Sequence, residues 1–382
     1  MIYDSKVIFI GTFLFSCIFA YIYECKKMRS NSNIFFFLSS ILLVFVQIST
    51  DSGVDYYSYY DSTLVYSRLS DIQHAYNREP LYSLWCVLAM YIFNNAHIAI
   101  LGMKLMGIVT FMYALYYLRK DINVFIAVLA ICSLYYIQSI YLLRIQIASA
   151  FILLSVAFWY KCKSIKKVII PLIIACGFHF SGYFALIPYL AYFFVFKGNR
   201  LTGHVNKILL ITIIVFLLCL SRFFFPLLGE LMAVSDSFAK FHKYDDNIGT
   251  TSTGLFYLFQ YAPIFVCMMF AKREINDKGL LVLILIWATL GYSVTNIQLG
   301  IFVRLVFIMS PIFVFYVPLM SSYLKKRYIV GFPLSVTMFN ILFVAYFLVI
   351  FFTTSYQYLN KGNVAELDCY HFVFPTQFFL IQ

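Results

Sequence analysis

Apolar runs of about 17 to 25 residues recur along the whole chain, and they leave its backbone few options. A run of that length matches a hydrocarbon core of about 30 Å. Inside lipid no backbone N–H or C=O can stay unpaired, so such a run must be a helix or part of a closed barrel. The apolar–polar alternation of barrel strands is absent. The fold class is therefore all-α, a polytopic membrane helical bundle. Composition agrees: 63% of the 382 residues are hydrophobic and 12% are charged. A soluble domain carries about 25% charged residues.

The net charge of +12 invites a nucleic-acid surface, but the positions of the charges argue against one. Most Lys and Arg fall in short clusters between apolar runs: Lys26, Lys27 and Arg29; Arg119 and Lys120; Lys161, Lys163, Lys166 and Lys167; Lys197, Arg200 and Lys207; Lys272, Arg273 and Lys278; Lys325, Lys326 and Arg327. The positive-inside rule places these loops in the cytoplasm. Each successive pair of clusters is then joined by a hairpin. The expected spans are 7–23, 33–49, 97–118, 122–140, 145–160, 167–178, 180–196, 208–225, 254–271, 279–296, 300–320 and 329–352, about 12 crossings with both termini outside. Residues 81–93 do not fit that parity. They fit a re-entrant or interfacial segment, the alternative being an ordinary short helix with Arg119 and Lys120 outside. Two long outer loops, 50–80 and 226–253, complete a single domain over 1–382. The nine cysteines form no CxxC pair, and no metal, nucleotide or hydrolase motif is present, so no cofactor or metal is expected.

Against this background Arg144 stands out. It is the only charge in about 40 residues, and a mid-membrane arginine costs roughly 2.5 to 3.5 kcal/mol on insertion scales. On the expected topology Arg144, His179 and Arg304 all lie near the outer face and can share one cavity. Snorkelling to lipid phosphates is the alternative for each arginine, and a satisfied interfacial ring the alternative for the histidine. Two guanidiniums suit a diphosphate, because each offers planar, bidentate donors and stays charged when partly desolvated. The first outer loop adds Asp55, Tyr56, Tyr59, Tyr60, Arg78 and Glu79, where acids can bind sugar hydroxyls and rings can stack on sugar faces. Glu79 precedes Pro80 and so sits at the edge of the 81–93 segment. Lys104 is a further intramembrane cation, placed either to bind an anion or to snorkel.

Several of these residues fall in recognisable elements. GVDYYSYY carries Gly53, Asp55, Tyr56 and Tyr59, and REPLYSLW carries Glu79. LLRIQIASAF carries Arg144, Gln146 and Ala148; GFHFSGYFALIPY carries His179 and Ser181; IFVRLVFIMSP carries Arg304 and Pro311. In this order and spacing they resemble the Wzy-type polysaccharide polymerases, most closely the EpsG-like branch. The resemblance implies a metal-independent glycosyltransferase of the bacterial inner (cytoplasmic) membrane, acting on its periplasmic or outer face in the synthesis of O-antigen, capsule or exopolysaccharide. The donor would be a growing glycan on undecaprenyl pyrophosphate, and the acceptor one repeat unit on the same lipid. Arg144 and Arg304 would hold diphosphates, while His179 and Glu79 would position or deprotonate the acceptor. Asp55, Tyr56, Tyr59, Arg78, Gln146, Ser181 and Lys104 would line the substrate. Partners would be the lipid-linked oligosaccharide, membrane lipid and a chain-length regulator, with no nucleic acid. A flippase for the lipid-linked unit and an O-antigen ligase are the competing functions.

Overall fold

The computed structural model describes residues 5–27, 29–49, 56–65, 79–136, 142–162, 164–196, 261, 263, 264, 267, 278–295, 303–324 and 336–360. Among them the regular structure is helical, with no strand. Helices α1 (Ser5–Lys26) and α2 (Asn33–Ile48) form an antiparallel hairpin. Ser16 and Ser39 each donate to the other's backbone carbonyl, at 3.4 and 2.9 Å. Lipid tails are as apolar as Leu, so small residues and interhelical hydrogen bonds take over the work of holding helices together.

Part of the expected first outer loop is helical: α3 spans Tyr56–Val65. The 81–93 segment lies in α4 (Pro80–Phe93), a helix of 14 residues, about 21 Å long and too short to cross a core of about 30 Å unaided. It ends at Asn94, whose left-handed φ of 47° an Asn tolerates, and whose N–H donates to the Met90 carbonyl. The Asn95 side chain then caps α5 (Ala96–Leu118), accepting from the N–H groups of His97 and Ile98. Thus α4 lies back along the first turns of α5. The Trp85 indole donates to the Ala99 carbonyl at 2.8 Å, and its ring covers Gly102, where no Cβ would fit.

Helix α6 (Val124–Ile131) runs into a π-helical turn at Cys132–Tyr136. Helices α7 (Leu143–Cys162) and α8 (Ile165–Phe178) form the next hairpin, followed by a 3-10 turn (Phe180–Ala185) and α9 (Leu186–Phe196). Helices α5 and α7 are parallel: Gly107, midway along α5, meets Gln146 near the start of α7, and the Tyr117 hydroxyl lies 3.2 Å from Cys162 Sγ where both helices end. The remaining elements are α10 (Lys278–Thr295), α11 (Val303–Met309), α12 (Pro311–Leu324) and α13 (Val336–Asn360). Among the described residues, four stretches are long and apolar enough to cross a membrane: α1, α5, α7 and Arg304–Tyr323. The expected span 208–225 and the loop 226–253 lie outside the described residues, as does most of 254–271.

The expected single span 300–320 is broken, and the break has a visible cause. Pro311 has no N–H, so the Phe307 carbonyl loses its helical donor. The Ser310 N–H reaches it at 3.3 Å, and two hydroxyls bond it more closely: Tyr135 from the π-helical turn at 2.7 Å and Ser149 from α7 at 3.1 Å. The Trp287 indole on α10 takes the Met309 carbonyl at 3.1 Å. The kink is thereby tied to three neighbouring elements, and it sets the direction in which α11 carries Arg304.

Candidate active site

Arg144 is the second residue of α7. A cation in the first turn opposes the helix dipole, so it needs a counter-charge beyond the usual cost of its apolar surroundings. Glu79 supplies one. Arg144 Nη1 donates to Glu79 Oε2. The guanidinium also lies 4.9 Å from the ring centre of Tyr82 and 5.3 Å from that of Tyr59. Its Nε is buried and has no acceptor.

Glu79 is 8% exposed and stands at the N-cap of α4. Its carboxylate does not cap that helix. Pro80 at the first helical position needs no partner for a missing N–H, and the Glu79 carbonyl takes the Ser83 N–H and hydroxyl at 3.1 and 3.2 Å. The side chain therefore reaches away from its own helix, toward α7 and α8. Oε1 accepts from the Phe180 N–H at 3.4 Å and lies 3.8 Å from His179 Nε2. Gly177 makes the approach of α4 to α8 close, since a Cβ there would collide with Leu81.

His179 closes α8 in an extended conformation, its N–H bonded to the Ala175 carbonyl at 3.0 Å. The Ser181 N–H donates to His179 Nδ1 at 3.1 Å, and the Gly182 N–H donates to the His179 carbonyl at 2.8 Å. An Nδ1 that accepts carries no proton, so the neutral ring has its proton on Nε2, facing Glu79. Arg304, the second residue of α11, adds a second positive charge, and α11 packs against both α7 and the turn that follows His179. Glu79, Arg144 and His179 thus come from three separate helices to one point, with Arg304 on the neighbouring α11.

A model of the EpsG family matches residues 32–363, a range that takes in all four of these side chains. The chain belongs to the EpsG family. It is accordingly a multi-pass membrane protein of polysaccharide biosynthesis, of the polymerase type and glycosyltransferase-like. No curated protein and no solved structure matches it.

The other expected substrate residues of this EpsG-family chain are placed differently from one another. Tyr56 and Tyr59 point inward from α3; Tyr59 lies against Arg144, and Tyr56 against Lys104 at 5.2 Å. Lys104 is 1% exposed, so it does not snorkel to the surface. Gln146 is 2% exposed and faces Gly107 of α5, with both amide atoms lacking a partner. Ser181 serves through its backbone N–H. Asp55 and Arg78 lie outside the described residues. No group of three or more metal-ligating side chains is found among the described residues.

Three participants escaped the sequence analysis. Tyr82 packs on Arg144; its position three residues after Glu79 in one helical turn was the available signal. The Phe180 N–H is a backbone group and leaves no signal. His97 takes the Tyr56 hydroxyl in a 2.6 Å hydrogen bond through Nδ1, with the Tyr60 ring 4.6 Å from its own.

Proposed function

We propose that this protein polymerises lipid-linked oligosaccharide repeat units at the outer face of the cytoplasmic membrane. A growing glycan on undecaprenyl pyrophosphate is the donor, and the non-reducing end of a new lipid-linked unit is the acceptor. The observation that carries this reading is the meeting of Arg144, Glu79 and His179, with α11 and its Arg304 packed against the same two elements. An acceptor hydroxyl oxygen bonds to the donor's anomeric carbon as the bond from that carbon to the diphosphate oxygen breaks. The electron pair leaves with undecaprenyl pyrophosphate, where Arg144 and Arg304 stabilise the growing charge in a site of low dielectric. The hydroxyl proton goes to Glu79. His179, with its proton on Nε2 and its Nδ1 occupied by the Ser181 N–H, is suited to hold that carboxylate and the acceptor in place.

The test is genetic. The gene is deleted and complemented with wild type, Arg144→Lys or Arg144→Ala, and the surface glycan is separated on a gel. A polymerase gives a ladder that collapses to one repeat unit on deletion. Wild type restores it, Arg144→Ala does not, and Arg144→Lys restores at most about a tenth of the chain growth, since a point charge cannot replace a planar fork. Loss of all surface glycan with accumulation of lipid-linked units would point instead to a flippase or ligase. An unchanged ladder would overturn the proposal.

A further inference from the structure

Glu79 meets the donors that an anionic ligand of this site would meet. Its carboxylate takes the Arg144 guanidinium through one oxygen and the Phe180 N–H, beside His179 Nε2, through the other. The pairing with Arg144 is single-stranded: Nη1 is engaged, while the buried Nε has no acceptor. Arg–carboxylate pairs built for stability are commonly bidentate and use two parallel donors. The Nε donor is desolvated and lacks an acceptor, a state that costs free energy until one arrives.

The two partners also differ in how firmly they are held. Arg144 is fixed on the first turn of α7 and flanked by the rings of Tyr59 and Tyr82, so it stays in place without Glu79. Glu79 is fixed through its backbone by the Ser83 contacts, and its carboxylate can leave by rotating the side chain alone. The start of α7 favours negative charge, and a diphosphate brings more of it than one carboxylate.

We infer that Glu79 is an internal counter-ion that occupies the anion position at Arg144 in the resting protein, and that the donor's diphosphate displaces it. This rests on the proposal that Arg144 binds a diphosphate. The exchange has a consequence for the order of events. Glu79 gains a free carboxylate only after the donor is seated, so the group that receives the acceptor's proton is unmasked by the donor itself. An acceptor arriving first meets a carboxylate already spent on Arg144.

The full chain in lipid nanodiscs, titrated with geranyl pyrophosphate as a soluble polyprenyl diphosphate, tests this. Glu79→Gln should bind the probe about tenfold tighter than wild type, in line with couplings measured for close charge pairs, while losing polymerisation. Glu79→Asp, which retracts the carboxylate by one methylene and keeps the charge, should fall between the two and serves if the Gln variant does not fold. Arg144→Gln should bind weakly, and adding Glu79→Gln to it should bring no gain. Arg144→Gln binding as well as wild type would remove the diphosphate reading itself. Weak binding by Arg144→Gln without a gain in Glu79→Gln would overturn the counter-ion role alone. A gain that persists in the double variant would also overturn it, because relief of long-range repulsion would then account for the effect.

Discussion

Gly182→Ala isolates the contribution of the turn after α8. A Cβ at Gly182 would lie 2.9 Å from the Ala175 carbonyl carbon and from the Cys176 nitrogen, and 3.0 Å from the Ala175 oxygen, where ordinary contact begins at 3.4 Å. All three are backbone atoms of α8, so no side chain can rotate aside. The turn must retreat by roughly 0.5 Å, and overpacking of this kind costs about 1 to 3 kcal/mol. The same turn carries the Phe180 N–H that reaches Glu79 and the Ser181 N–H that reaches His179. The first contact is already long, at 3.4 Å, and a retreat of that size would take the second, at 3.1 Å, past the limit of a hydrogen bond. Since a misplacement of about 1 Å can cost 10²-fold in rate, half of it predicts a loss of about tenfold in chain elongation. The assay is the repeat-unit ladder together with thermal unfolding of the purified protein. Gly11→Ala is the control, because a Cβ there meets nothing within 4 Å. Gly182→Ala with wild-type elongation and wild-type unfolding would refute the idea that this turn sets the positions of Glu79 and His179.

Two further outcomes follow from the fold. Removing both hydroxyls that serve the Phe307 carbonyl, with Tyr135→Phe and Ser149→Ala together, should destabilise the protein by about 1 to 3 kcal/mol and by more than either change alone, read as a lower unfolding temperature. Orientation is checked by labelling: Tyr91→Cys, beside the α4–α5 turn and 80% exposed, should react with a membrane-impermeant maleimide on intact cells, whereas Lys166→Cys should react only after permeabilisation.

How far the sequence carries can be judged residue by residue. The helical membrane class follows from run length alone, because lipid permits no other use of such a run. The approach of Arg144 to His179 was legible because each stands at the end of an apolar run, and the two runs are joined through a single basic loop. Glu79 was legible through Pro80, which marks a helix start at that point. Helix α3 was missed, although Tyr56, Tyr59 and Thr63 face inward at i, i+3 and i+7. In YYSYYDSTLV the intervening Tyr57, Ser58, Tyr60, Asp61 and Ser62 are also aromatic or small and polar, so the stripe does not stand out. The break between α11 and α12 had a local sign in Pro311, but its stabilising partners, Tyr135 and Ser149, are more than 150 residues away in the chain. No window of sequence contains both halves of that arrangement.

The depth of the site bears on what it can serve. Along α7, Arg144 lies about 26 Å from Lys161 at the basic end, close to the opposite margin of a core of about 30 Å. By the pairing of Gly107 with Gln146, α5 continues about 13 Å past the level of Arg144, with α4 folded against it. The site therefore lies below the start of α5, at the end of the bundle opposite Lys161, which is the outer end on the proposed topology. A lipid-borne diphosphate sits at such a level without its tail leaving the bilayer. Below it the bundle is filled by Phe111, Trp287, Phe313, Phe315 and Tyr316, all fully buried. A carrier that moves a charged headgroup across the membrane needs polar groups along its path, as the cost of an unpaired ion in hydrocarbon demands. A transferase needs them only where the diphosphate rests and departs. Among the described residues, Arg144 and Lys104 stand over an apolar floor, a distribution that favours the proposed one-sided transfer over carriage of a charged headgroup.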